Sequence, residues 1–139
     1  MAQSIRDVMA AHPVALPATS SVIDAARAMR DSNIGDVIII DNGQVCGIVT
    51  DRDITIRGVA EGRDLSHLKL ADVCSRELTT VSPTDSVDDA LRLMREKAIR
   101  RLPVVEGGKP VGIVSLGDLA LEKDPGSALG DISGAPPNR

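Results

Sequence analysis

The run Gly47-Ile48-Val49-Thr50-Asp51-Arg52-Asp53 recurs 65 residues later as Gly112-Ile113-Val114-Ser115-Leu116-Gly117-Asp118. Each copy ends an apolar β-type run on a hydroxyl and sets a carboxylate three residues further on, at the start of a helical stretch. A helix N-terminus offers unpaired backbone N–H groups and a partial positive charge, which suits a phosphate, and the hydroxyl can add another hydrogen bond. The carboxylate is an acceptor that can take both hydroxyls of a ribose, as acidic residues do in dinucleotide-binding folds. Gly47 and Gly112 leave room for close approach of a ligand or a neighbouring strand. The same residues also have the spacing of capping boxes, with Asp in place of the usual Glu or Gln, and a cap needs no ligand. Recurrence in register, each time closing the same Gly-Ile-Val strand, favours the ligand.

Other reactive residues offer less. An enzyme needs a nucleophile beside a base, or a metal cluster, whereas His12 and His67 are isolated and fall at unmatched places in the two copies. Asp51 and Asp53 could hold Mg²⁺ beside a bound phosphate, although carboxylates in a first helical turn ordinarily complement the helix dipole. No dedicated metal site follows. Cys46 and Cys74 are also unmatched between the copies, so they make no repeated metal or disulfide framework and read as two reduced, buried thiols.

The repeated run belongs to a larger duplication. Residues 7 to 54 lie on 72 to 119 without a gap, with 16 of 48 positions identical. Two copies at so long a period describe a duplicated small domain, not an open solenoid. Two copies of one fold commonly mate about a pseudo-two-fold axis, and the cleft between them is the natural place for a ligand. The boundaries read as a first repeat over 1–61, a linker over 62–70, a second repeat over 71–123 and a disordered tail over 124–139, where Gly, Pro and Ser accumulate.

Within each copy the pattern runs extended segment, helix, strand, hairpin, strand, helix. Ser21-x-x-Asp24 and Ser86-x-x-Asp89 open two helices in capping-box style. Their apolar stripes are Val22, Ala25, Ala26, Met29 and Val87, Ala90, Leu91, Met94, Ala98, and Asp88 with Arg92 makes a solvated pair on the outer face of the second. Strands are expected over Val37 to Ile40 and Val45 to Val49, then over Leu102 to Val105 and Val111 to Val114. Asp41-Asn42-Gly43 and Glu106-Gly107-Gly108 supply the turns. Short extended segments lead in at Val14 to Leu16 and Thr79 to Val81. Helices follow from Asp51 to about Ala60 and from Leu116 to about Glu122.

At 139 residues the chain suits one compact domain, or two half-size units. Phe, Trp and Tyr are all absent, so the core must come from Val, Ile, Leu, Ala and Met, and any base would lie between aliphatic side chains. Single-stranded nucleic acid is disfavoured, since its binding leans on aromatic platforms and a basic groove. A net charge of −4 supplies no field for a polyanion. No apolar run is long enough to span a membrane and the N-terminus lacks a signal-peptide core, so a cytoplasmic protein with no membrane or nucleic-acid partner is expected.

With these residues in place the chain resembles the CBS domains, named for cystathionine beta-synthase, which occur as tandem pairs called Bateman modules. The resemblance spans about residues 5 to 122. It rests on Asp7-Val8-Met9, the two Ser-Val-x-x-Ala-x-x-x-Met helices, Arg101-Leu102-Pro103-Val104-Val105 and the two Gly-Ile-Val-Thr/Ser-x-x-Asp endings. The stretch from Gly47 to Gly62 is similar to small stand-alone bacterial CBS-pair proteins such as the hypoxic-response proteins.

The resemblance implies a mixed α/β fold of two CBS repeats, each a small sheet flanked by helices. It implies a regulatory module, not an enzyme, that binds an adenosine-containing ligand such as AMP, ADP, ATP or S-adenosylmethionine in the cleft between repeats. AMP or ATP is the leading candidate, with Mg²⁺ as its companion and no obligatory cofactor. By the family pattern Asp53 and Asp118 would hold ribose, and Thr50 and Ser115 phosphate. Ile34, Val37, Ile99 and Leu102, with Pro103, would flank adenine, and the backbone at Val14, Ala15, Thr79 and Thr80 would read its edge. Arg100 and Arg101 would neutralise phosphate in the second copy, where the first has Gly35 and Asp36, so the two sites are expected to be unequal. Arg52 and Arg57 could compensate in the first. A homodimer and a separate protein effector also follow from the resemblance, and apolar helix faces give dimerisation a motive. Two departures stand out: Ile38 matches Pro103, and Leu116-Gly117 replaces Asp51-Arg52. The alternative is a ligand-free structural or protein-interaction module.

Overall fold

The computed structural model describes residues 4–74 and 78–123. In chain order its elements are α1 (Ile5–Val8), β1 (Ala10–Ala11), β2 (Ala15–Pro17), α2 (Val22–Ser32), β3 (Asp36–Asp41), β4 (Gln44–Thr50), α3 (Asp51–Asp53) with a π-helical continuation Ile54–Val59, α4 (Leu70–Val73), α5 (Val87–Lys97), β5 (Arg101–Glu106), β6 (Lys109–Ser115) and α6 (Leu116–Lys123). The mixed α/β class is as expected, and the strands extend the expected ones by a residue or so at each end. No described helix is long and apolar enough to cross a membrane. The tail over 124–139 lies outside the described residues.

Each hairpin closes through a two-residue loop with both residues at positive φ, Asn42-Gly43 at 52° and 77° and Gly107-Gly108 at 61° and 81°. That geometry matches the twist of the flanking strands and explains the Asn-Gly and Gly-Gly pairs. Asp41 then faces Gln44, and Glu106 faces Lys109. One residue of the outgoing strand bulges in each hairpin: Ile39 faces Gly47 while Ile40 faces Val45, which leaves Cys46 over, and Val111 is left over in the same way.

Both long helices start on a serine. The Ser21 and Ser86 hydroxyls accept from the backbone N–H of Asp24 and Asp89, each at 3.0 Å. The buried stripes are Val22, Ala25, Met29 and Val87, Ala90, Met94. Two expected stripe members fall away: Ala26, one residue further round the helix, is exposed, and Ala98 lies past the last turn. Arg92 pairs with Asp89 at 2.9 Å, one turn back on the exposed face.

Both helices end on a left-handed residue, Asn33 at φ 55° and Ala98 at φ 54°. Asparagine tolerates that conformation, whereas a Cβ beside the following carbonyl costs about 1 kcal/mol or more at alanine. Ala98 is exposed and gives up little packing. Ala98→Gly is therefore expected to stabilise the protein by about 1 kcal/mol, read as a rise of a few degrees in Tm by calorimetry. An unchanged Tm would mean that the strain is relieved elsewhere.

The chain divides into two compact units, one from Pro13 to Leu78 and the other combining the residues up to His12 with those from Thr79 on. The division is offset from the sequence repeats. In the first unit the sheet order is β2-β3-β4, and in the second β1-β6-β5. β1, at the start of the first repeat, pairs with the second repeat's β6, placing Ala10 on Ile113 and Ala11 on Gly112. Ahead of it, the N–H groups of Ile5 and Arg6 donate to the carbonyls of Asp85 and Pro83.

The first unit repeats this contact with α4. Val22 N–H donates to Leu68 O at 2.8 Å, and Leu70 N–H to Ser20 O at 2.9 Å. The isolated bridges Ser4 with Ser86 and Lys69 with Ser21 correspond in the repeat frame. Residues 62–70, expected as a linker, thus supply structure: Leu68 and Leu70 are buried in the first core with Val22, Ala25, Met29, Val37, Ile39, Val49, Ile54 and Val73. Ile5 is buried in the second core with Val81, Val87, Ala90, Met94, Leu102, Val104, Val114 and Leu119. Apolar side chains pull both segments in, since a four-residue helix cannot bury them alone.

Candidate functional site

Thr50 and Ser115 end β4 and β6 and become the N-caps of the following helices. Thr50 Oγ1 accepts from Asp53 N–H at 3.1 Å while Asp53 Oδ2 accepts from Thr50 N–H at 2.9 Å. Ser115 and Asp118 make the same reciprocal pair at 3.1 and 3.0 Å. The capping box is therefore formed at both places, and it engages Oδ2 of each carboxylate. All four residues are half-buried.

The strand partner brings the expected neighbours alongside. In the first unit Asp36 faces Thr50 across the ladder, and Asp51 N–H donates to Gly35 O at 3.0 Å. In the second unit Arg101 faces Ser115, and Leu116 N–H donates to Arg100 O at 2.8 Å. The charge opposite the cap is thus acidic in one unit and basic in the other. Arg57 does not redress this: its Nη1 donates to the carbonyls of Val73 and Cys74, both at 3.2 Å, so it closes the end of α4. Arg52 is exposed.

Ile34 and Ile99 follow the left-handed helix ends, and their N–H groups return to the carbonyls of Met29 and Met94. Ile34 is exposed, whereas Ile99 packs partly against the second core. Val37 and Leu102 differ from the expectation. Both are fully buried, because β3 and β5 are covered on both faces, and it is their backbone that lies beside the cap.

The lead-in segments differ for a reason visible in one residue. In the first unit Ile38 N–H donates to Val14 O at 2.9 Å and Ala15 pairs with Ile38, which makes β2 a parallel strand. The repeat partner of Ile38 is Pro103, which has no N–H to give to Thr79. Its carbonyl instead accepts from Val81 at 3.1 Å, and a single bridge of Val81 with Val104 replaces the strand. Thr79 and Thr80 are left half-buried ahead of that bridge. The sequence contained this signal in the Ile38/Pro103 mismatch.

The helix expected over Asp51 to Ala60 is wound more loosely than an α-helix beyond Asp53, with Ala60 N–H donating to Thr55 O at 2.8 Å. Gly58 sits where Leu65 and Leu68 press on it; a Cβ there would stand 2.9 Å from Leu65 Cδ2. The described residues hold no group of three or more His, Cys, Asp or Glu placed to bind a metal ion.

The CBS domain family model matches residues 5–58 and 70–123, and the chain belongs to that family as a tandem CBS pair, a regulatory module by class. It is 38% identical over 134 residues to the CBS domain-containing protein YhcV of Bacillus subtilis, covering 94% of this chain and 95% of that one. Among solved structures, Hypoxic Response Protein I with two coordinated zinc ions superposes with a TM-score of 0.77 at 32% identity, over 84% of this chain and 96% of that one. A CBS domain pair in complex with 5′-methylthioadenosine and S-adenosyl-L-methionine does so with a TM-score of 0.76 at 25% identity, over 84% and 92%.

Proposed function

We propose that this CBS pair is a non-catalytic sensor of an adenosine-containing ligand, AMP or ATP in the first instance. Asp53 and Asp118 would take ribose hydroxyls through the carboxylate oxygen that the caps leave over, and Thr50 and Ser115 with the helix N–H groups would face phosphate. Mg²⁺ is the natural counter-ion of a polyphosphate there. The observation that carries the reading is the cap at Ser115–Asp118. It has Arg100 and Arg101 alongside, and Pro103 withholds from the Thr79 backbone the bond that Val14 receives. The second repeat is accordingly the stronger site, and the relative with bound methylthioadenosine and S-adenosylmethionine supports the ligand class.

Signalling would follow from unequal affinity for two arrangements of the protein, which shifts a population without any chemistry. A homodimer in the cytoplasm, reporting to a separate protein effector, completes the proposal. The rival reading, a ligand-free interaction module, has one observation in its favour: each capping box satisfies itself.

The absence of Trp and Tyr separates the two. An ultraviolet spectrum of the purified protein has almost no aromatic background, so an adenine band that survives gel filtration identifies a bound ligand, to be named by mass spectrometry. Where the spectrum is blank, calorimetric titration with AMP, ATP and S-adenosylmethionine is expected to give saturable binding. Silence with all three would leave the interaction module.

A further inference from the structure

Cys46 and Cys74 stand apart in sequence and come together in the first unit. Cys46 is the bulged residue of β4, and Cys74 is the C-cap of α4. Both line one open cavity of about 320 Å³ with Ala18, Asp41 and Ala71, and both are half-buried thiols packed against the first core. The repeat frame supports the juxtaposition independently. The counterparts of Cys74 and Cys46 in the second unit are Met9 and Val111. There, a Cβ placed on Gly112, the residue after Val111, would collide with Met9 Sδ and stand 2.9 Å from its Cγ. One unit thus fills this position with a thioether and a valine, and the other with two thiols.

The surroundings of the two sulfurs are unlike. Arg57 Nη1 donates to the Cys74 carbonyl at 3.2 Å, which brings a guanidinium to the backbone at the Cys74 end of the pair, while the Cys74 thiol itself points to the Ala71 carbonyl at 3.8 Å. Burial pushes the Cys46 thiol up, and negative charge at Cys74 and Asp41 adds to this.

We propose that Cys46 and Cys74 form a two-electron redox site whose oxidant is a hydroperoxide. The Cys74 sulfur attacks the terminal peroxide oxygen: the S–O bond forms, the O–O bond breaks, and the alkoxide or hydroxide leaves and takes up a proton. The Cys46 sulfur then attacks the Cys74 sulfur: the S–S bond forms, the S–O bond breaks, and the departing hydroxide takes the Cys46 proton as water. The two thiols are oxidised and the peroxide is reduced. The product ties the bulge of β4 to the end of α4 and is independent of any nucleotide.

The test treats the full chain with hydrogen peroxide, alkylates it with iodoacetamide and reads the intact mass and a peptide map. The expected monomer has lost two hydrogen atoms and both alkylation sites, yields a Cys46–Cys74 linked peptide, and regains both sites after dithiothreitol. Cys46→Ser is expected to accumulate a sulfenic acid at Cys74, trapped by dimedone, while Cys74→Ser leaves Cys46 open to alkylation. Two thiols still alkylated after excess peroxide, or covalently linked dimers of the chain, would overturn the proposal, and the wild-type result needs no variant to fold.

Discussion

Replacing Asp118 with alanine is expected to lower affinity for AMP, or for whichever adenosine ligand the protein takes, about a hundredfold while costing the fold about 1 kcal/mol. The two figures have different sources. A carboxylate accepting ribose hydroxyls contributes hydrogen bonds to a charged group, each about 1.5–3 kcal/mol, and a hundredfold loss corresponds to about 2.7 kcal/mol. The cost to the fold is one arm of a capping box, the bond from Ser115 N–H at 3.0 Å. Asp118→Asn separates the two, since its amide oxygen can still accept from Ser115 while the charge is gone. Asp53→Ala should matter less, because its cap faces Asp36, whose charge opposes a phosphate, where the other faces Arg101. Calorimetric titration gives the affinities and urea unfolding the stabilities. Wild-type affinity in Asp118→Ala would retire the ribose role, and equal losses from the two variants would retire the inequality between sites.

Ile5→Ala is expected to destabilise the protein by about 2–5 kcal/mol, with the damage falling on the unit that holds most of the second repeat, although Ile5 belongs in sequence to the first. Ile5 is fully buried in the core that holds Leu102, Val104, Val114 and Leu119. Truncation removes apolar surface and leaves a cavity that a short helix pinned by hydrogen bonds to Asp85 and Pro83 cannot readily close. Against a typical total of about 5–15 kcal/mol this is a large share. Hydrogen exchange is the measurement of choice, with protection expected to fall in β5 and β6 and to persist in β3 and β4. Equal losses in both hairpins would show that the offset units do not unfold as described.

Much of each repeat was legible because its signals are local. Ser21 and Ser86 lie three residues before a carboxylate, Asn42-Gly43 and Gly107-Gly108 can adopt positive φ without strain, and Gly-Ile-Val ends in a hydroxyl. Each feature constrains its own backbone, so helix starts, turns and caps were placed to within a residue or two. Partner choice was not local. Ile5-Arg6-Asp7-Val8 and Leu70-Ala71-Asp72-Val73 read alike, and nothing in either tetrapeptide says which sheet will cover it.

Burial on both faces of β3 and β5 was also out of reach, so Val37 and Leu102 looked like a wall for a ligand and are core. Arg57 looked like spare charge and is spent on the end of α4. The bulge at Cys46 needed the observed ladder, because a one-residue shift leaves no mark in a run of apolar residues.

The offset between repeats and compact units bears on how the chain matures as it leaves the ribosome. The unit from Pro13 to Leu78 is continuous and can close as soon as it has emerged. The other is split around it, so Ile5 and β1 must wait, with apolar side chains unburied, until Ser115 and Leu119 have been synthesised. Its pairing of Ala10 with Ile113 spans most of the chain, a long-range contact of the kind that folds slowly. In the order of synthesis the segment around Ile5 is made before the continuous unit and placed after it, and in that interval the nascent protein is most exposed to proteases and to neighbouring chains.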